Sequence, residues 1–102
     1  MEIYNKAIRD KIPEIIEESG KNCNVKKLTD SEFLVQLEKK LVEELSEYQE
    51  SKNVEELADI LEVIYRISEL KGITSDELDS IKNEKAKKRG KFNDNLFLVD
   101  TN

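Results

Sequence analysis

Apolar residues from position 33 onward keep the three-and-four spacing of a single helix face: Phe33, Leu34, Leu37, Leu41, Leu45 and Tyr48. Thr29-Asp-Ser-Glu32 precedes them in the form of a capping box. The pattern predicts a helix from Thr29 to Ser51. A second stripe runs through Leu57, Ile60, Leu61, Ile64, Ile67 and Leu70, opened by Asn53-Val-Glu-Glu56 and stopped at Gly72. Thr74-Ser-Asp-Glu77 repeats the capping form, and Leu78 and Ile81 begin a helix that ends near Gly90. Ahead of these, Ile12, Ile15 and Ile16 make a short stripe after Asp10. Pro13 falls in its first turn and Gly20 terminates it.

The rest has no helical period. Residues 1–9 are a polar entry segment with Ile3, Tyr4 and Ile8 as anchors. Residues 21–28 read as an extended connector or a short strand, and Phe92, Leu96, Phe97 and Leu98 as an extended arm that docks. About four residues join the two long helices, which makes them antiparallel neighbours. The expected fold is all-α: one domain over residues 1–102, a small four-helix bundle-like unit on a central helical hairpin. The two long helices carry more apolar surface than one chain covers, so a homodimer or higher homo-oligomer is expected.

Composition narrows the function classes. Charged residues make up 39% and apolar ones 37%, a balance that suits helices with one buried stripe. The net charge of −6 argues against a general nucleic-acid grip. It leaves room for a nucleotide, since a divalent metal bridges carboxylates to phosphates. Histidine is absent, which removes His-based zinc sites and Ser-His-Asp or Cys-His nucleophiles. Cys23 is the single cysteine, so no intrachain disulfide forms; we read it as structural filler in a reducing compartment. No apolar run approaches the roughly 20 residues of a membrane span. The opening residues are too polar for a signal peptide, and a cytoplasmic location is expected.

Four acids interrupt the stripes. The line through Leu34, Leu37 and Leu41 continues to Glu44, with Glu47 three residues on. The line through Leu70, Ile67 and Val63 projects back to Asp59 and Glu56. Both pairs flank one tight turn and lie at the same end of the hairpin. Four facing carboxylates repel, and burying them unpaired is costly. A divalent cation relieves both costs. Oxygen-only ligands on rigid helices suit Mg²⁺, with Mn²⁺ as a substitute. Plainer roles compete: acids in a first turn favour the helix dipole, Glu56 occupies the N3 position of a capping box, and Glu47 has lysines nearby.

Glu43-Glu44-Leu45-Ser46-Glu47, followed by Glu56-Leu57-Ala58-Asp59, resembles the EExxE…ExxD signature of the MazG-like, all-α nucleoside-triphosphate pyrophosphohydrolases. The opening YNKAIRDKIPEIIEESGK and the later KNEKAKKRGKF resemble its house-cleaning branch, related to phosphoribosyl-ATP pyrophosphohydrolase. The resemblance extends from Tyr4 to about Leu98. Eight residues separate Glu47 from Glu56, a short spacing for the superfamily that leaves the number of metals open.

The resemblance implies Mg²⁺-dependent hydrolysis of a nucleoside triphosphate between its α and β phosphates. Glu44, Glu47, Glu56 and Asp59 would hold Mg²⁺, and Glu43 would bind a further metal or orient water. It further implies triphosphate contacts from Lys6, Arg9 and Lys11 and from Lys82, Lys85 and Arg89, with Lys88 beside them. The alternative for these cations is a solvated, dipole-favouring surface. Tyr4 and Phe92 are candidates to stack on a base, with a core plug the preferred reading for Phe92. Two rival functions remain. One is a non-enzymatic helical interaction module whose acidic end binds a basic partner. The other keeps the fold and hydrolyses a different pyrophosphate.

Overall fold

The computed structural model describes residues 2–102 and consists of four helices, with no strand among the described residues. They are α1 (Ile12–Glu18), α2 (Asp30–Ser51), α3 (Val54–Leu70) and α4 (Ser75–Arg89). The connector at 21–28 is irregular, so the short-strand alternative does not hold.

Local chemistry sets the helix ends. In α2 the Glu32 N–H donates to Thr29 Oγ1 at 3.2 Å, and the Thr29 N–H donates to Glu32 Oε1 at 3.0 Å. Thr74 and Glu77 make the same reciprocal pair at α4, at 3.1 and 3.3 Å. Each pair satisfies amide donors that the first helical turn cannot. The expected third box, at α3, does not form. Asn53 donates its N–H to Ser51 Oγ at 3.1 Å, and its side chain accepts from the Glu55 N–H at 3.0 Å. With the Asn53 N–H already taken, the Glu56 carboxylate is released from capping.

Helices α2 and α3 pack along each other as an antiparallel hairpin, and α3 touches α4. Helix α1 packs against no other helix. The core is small: Ala7, Leu37 and Val63 are buried, with Phe33, Leu41, Ile67 and Leu70 against them. Ala7, not Ile3 or Tyr4, anchors the opening segment; those two are 77% and 65% exposed. Ser68 is buried where α3 turns toward α4, donating from Oγ to the Ile73 carbonyl at 2.8 Å. Half-buried Cys23 sits with Sγ 4.0 Å from the Pro13 carbonyl, which fits a filler role between the connector and α1.

Leu45, Leu57 and Leu61 lie on a second, open face, in keeping with more apolar surface on the two long helices than one chain covers. One packing expectation is corrected. The arm after α4 does not dock on its own chain: Phe92 is 98% exposed and Leu96 90%, with Phe97, Leu98 and Val99 also exposed. Phe92 is therefore no core plug. The radius of gyration is 17.8 Å, against about 13 Å for a compact chain of 100 residues. Among the described residues, no helix is long and apolar enough to cross a membrane.

Candidate metal centre

The hairpin turn brings the two acidic pairs together. Leu37 and Glu44 are seven residues apart and share the buried face of α2. Glu56 is seven before Val63 on the facing side of α3. Lys52, in the left-handed conformation at φ 59°, makes the turn between the helices.

Carboxylate oxygens of Glu43, Glu44 and Glu47 lie within 4.8 Å of one another, and so do those of Glu44, Glu56 and Asp59. Glu44 belongs to both triads. It is only 6% exposed, in a position where the α2 stripe would otherwise carry a leucine. Its Oε1 is ion-paired with Lys40 Nζ at 3.3 Å. Its Oε2 is buried and has no hydrogen-bond partner among the described residues. A buried carboxylate oxygen without a partner is expensive, and a cation held by these acids would satisfy it.

Electrostatics agree with the geometry. Burial pushes the Glu44 pKa above its ordinary 4.5, and the charge of Glu47 pushes it further, while the Lys40 hydrogen bond opposes both. Glu56 is also raised, first by partial desolvation and then by the charges of Asp59 and Glu44. Carboxyl groups that resist losing their protons beside one another are short of positive charge.

Part of that positive charge comes from the opening segment. Burial of Ala7 in the groove between Leu37 and Val63 sets its neighbours over the acids. Lys6 Nζ lies 3.2 Å from Glu43 Oε1, and Arg9 Nη2 lies 2.7 Å from Asp59 Oδ1. Lys40 pairs with Glu43 at 3.7 Å as well as with Glu44. Five carboxylates thus meet three cations, an excess of two negative charges. Glu47 and Glu56 have no cationic partner among the described residues, and with Glu50 and Ser51 they line an open depression.

Other expected site residues lie apart. Lys11 precedes α1 and makes no ion pair among the described residues. Lys82 contacts Asn83 at 3.3 Å, while Lys85 and Arg89 line a separate depression on α4 with Ile81, Glu84 and Lys88. Helix α4 meets α3 near its own start, where the Tyr65 hydroxyl donates to Asp79 Oδ1 at 3.2 Å. That contact is at the end of the hairpin remote from the acids. Among the described residues, the basic face of α4 makes no ion pair with the carboxylates of the hairpin tip. Tyr4 is exposed, with Lys6 Nζ 5.6 Å from its ring centre, and remains open to a stacking partner. Lys40 was the residue missed; its i→i+3 and i→i+4 spacing to Glu43 and Glu44 was the signal.

The chain matches no family model, no curated protein and no solved structure.

Proposed function

We propose that this chain is a Mg²⁺-dependent nucleoside-triphosphate pyrophosphohydrolase acting in the cytosol on the nucleotide pool. The observation that carries the reading is Glu44: a buried carboxylate shared by two triads, with one oxygen unpartnered. Helix ends often carry exposed acids, but a buried acid on the core line of a helix needs a reason that a solvated charge does not.

Glu44, Glu47, Glu56 and Asp59 are the ligands, and their oxygen-only chemistry fits Mg²⁺, with Mn²⁺ as a substitute. Bound there, the ion supplies a lower pKa for water and neutralises charge on the phosphate oxygens. Glu43, beside Lys6 and Lys40, is placed to orient a water or hold a second ion. Lys6 and Arg9 stand at the edge of the carboxylates and are positioned to shift from acid to phosphate when a triphosphate arrives. No side chain in the centre is a strong nucleophile, so water adds to phosphorus. The α–β bridging bond breaks, leaving a nucleoside monophosphate and pyrophosphate. The open apolar face of Leu45, Leu57 and Leu61 supports a homodimer.

The test is pyrophosphate release from a panel of nucleoside triphosphates with Mg²⁺. Glu44→Gln and Asp59→Asn are each expected to abolish turnover while circular dichroism stays helical. Wild-type turnover in both variants overturns the reading, and a basic protein ligand bound without Mg²⁺ would replace it with an interaction module.

A further inference from the structure

Resting on that reading, we infer that the segment after α4 crosses to a second copy of the chain, covers the open face of its hairpin and delivers basic side chains to its carboxylates. Two unsatisfied surfaces on one molecule carry this. The first is the arm. Five large apolar residues between Phe92 and Val99 are each at least 78% exposed, and four of them are consecutive. A run of that kind in solvent is unfavourable unless something covers it. The second is the hairpin face, where Leu57 and Leu61 are 42% and 50% exposed, beside Leu45 at 48% and Val54 at 74%.

Charge complementarity supports the pairing. The arm is preceded by Lys85, Lys87, Lys88 and Arg89 and contains Lys91. The hairpin turn from which Leu45, Val54 and Leu57 lead away is acidic, with Glu43, Glu47, Glu50, Glu55, Glu56 and Asp59 close to it in sequence. Basic residues followed by an apolar run therefore meet an acidic tip followed by an apolar face. The extended shape, at 17.8 Å radius of gyration and 60 Å in its longest dimension, shows a chain that has not closed on itself. A second copy has the required complement and receives an arm in return, as a two-fold interface demands. Each of the arm's two phenylalanines carries about 150–250 Å². With three aliphatic residues added and the exchange reciprocal, the buried total reaches the roughly 1,600 Å² of a standard specific interface. The exchange also accounts for the separation of Lys85 and Arg89 from the acids within one chain: their carboxylates belong to the partner.

Sedimentation, crosslinking and complementation together decide it. The full chain is expected to sediment as a dimer of 11.9 kDa subunits, and a chain stopped after Gly90 as a helical monomer. A monomeric full chain, or a dimer that survives the truncation, overturns the proposal. In a Cys23→Ser background, an affinity-tagged Phe97→Cys chain mixed with an untagged Leu61→Cys chain is expected to give a disulfide-linked heterodimer on oxidation. If no heterodimer forms, or if a chain with both cysteines closes only on itself, the arm docks at home and the proposal fails. These two readouts do not depend on catalysis, so they stand apart from any failure of the pyrophosphohydrolase reading. Mixing Glu44→Gln chains with Arg89→Ala chains should then restore about a quarter of wild-type turnover, since half the dimers are mixed and each holds one intact site. Turnover no greater than that of the two variants measured separately overturns delivery in trans.

Discussion

Arg9 and Asp59 are fifty positions apart in sequence and 2.7 Å apart in space, joining the opening segment to the first turns of α3. Both side chains are substantially exposed, at 56% and 40%, so the pair contributes less than about 1 kcal/mol to stability. Its importance lies in charge. Arg9 partly neutralises a residue proposed as a metal ligand, and on the proposed function the same guanidinium would turn to phosphate when a triphosphate binds. Arg9→Ala is therefore expected to leave Tm nearly unchanged. By calorimetry it should bind Mg²⁺ several-fold more tightly without nucleotide. Its KM for nucleoside triphosphate should rise roughly tenfold, the loss of a charge-assisted contact of about 1.4 kcal/mol. A variant with weaker Mg²⁺ binding and unchanged KM would make Arg9 a structural tether.

Glu44 is the residue whose replacement separates metal binding from folding. Its charged form is disfavoured by burial, and Lys40 reaches only one of its oxygens. Glu44→Gln keeps the shape and removes the buried charge. Without metal, the variant is expected to be more stable than the wild type by about 1 kcal/mol, a rise in Tm of roughly 4–8 °C for a domain of this size. On the proposed function the wild type should gain stability when Mg²⁺ is added, because the ion would bind only the folded arrangement. The variant should gain none. Differential scanning calorimetry with EDTA and with Mg²⁺ checks both, and a fall in metal-free Tm on substitution would show that Lys40 already satisfies the carboxylate.

The same groups set a pH dependence. Glu44 and Glu56 have folded pKa values above the ordinary 4.5. Between 4.5 and those raised values the folded chain holds more protons than the unfolded one, so stability falls as pH rises through that window. Metal-free protein should therefore melt higher as the pH drops from neutral toward 4.5, by on the order of a few degrees. Glu32 works in the opposite sense. Its hydrogen bonds with Thr29 lower its pKa, so its contribution is present above 4.5 and lost as pH falls through the folded value. The gain on acidification should thus stop near 4.5. With saturating Mg²⁺ the slope reverses at neutral pH, since protons then compete with the ion. Tm recorded across this range with and without EDTA distinguishes the two regimes.

Features set by neighbours in sequence were legible before the fold was known. The boxes at Thr29/Glu32 and Thr74/Glu77 form because three residues bring both partners together. The box at Asn53 fails because Ser51 Oγ takes the same N–H, a competition no spacing rule contains. Glu44 was legible as a carboxylate on a core line, because helical period alone puts it in register with Leu37. The burial of Ala7 was not, since a short side chain in a polar segment has no pattern; only the groove between α2 and α3 selects it. Period likewise marked Leu45, Leu57 and Leu61 as apolar-face residues, but it carries no information on which chain covers that face.

The turn that unites the two acidic pairs is itself under strain. Lys52 adopts φ 59° and ψ 17°, where a side chain costs on the order of 1 kcal/mol that glycine does not. Its N–H closes α2 on the Tyr48 carbonyl at 2.8 Å, and its ammonium lies 5.9 Å from the Tyr48 ring centre. Glycine keeps the amide bond, relieves the backbone and loses the cation–π contact, worth about 0.5 kcal/mol at an exposed site. The expected net gain for Lys52→Gly is therefore about 0.5 kcal/mol, a Tm increase of roughly 2–4 °C by scanning calorimetry. Among the described residues Lys52 makes no ion pair with the carboxylates, so on the proposed function pyrophosphate release should stay at the wild-type rate. A loss of stability would mean that the greater freedom of glycine in the unfolded chain outweighs the relief of strain. A loss of turnover with unchanged Tm would show that the position of the turn, and not only the identity of the acids, sets the site.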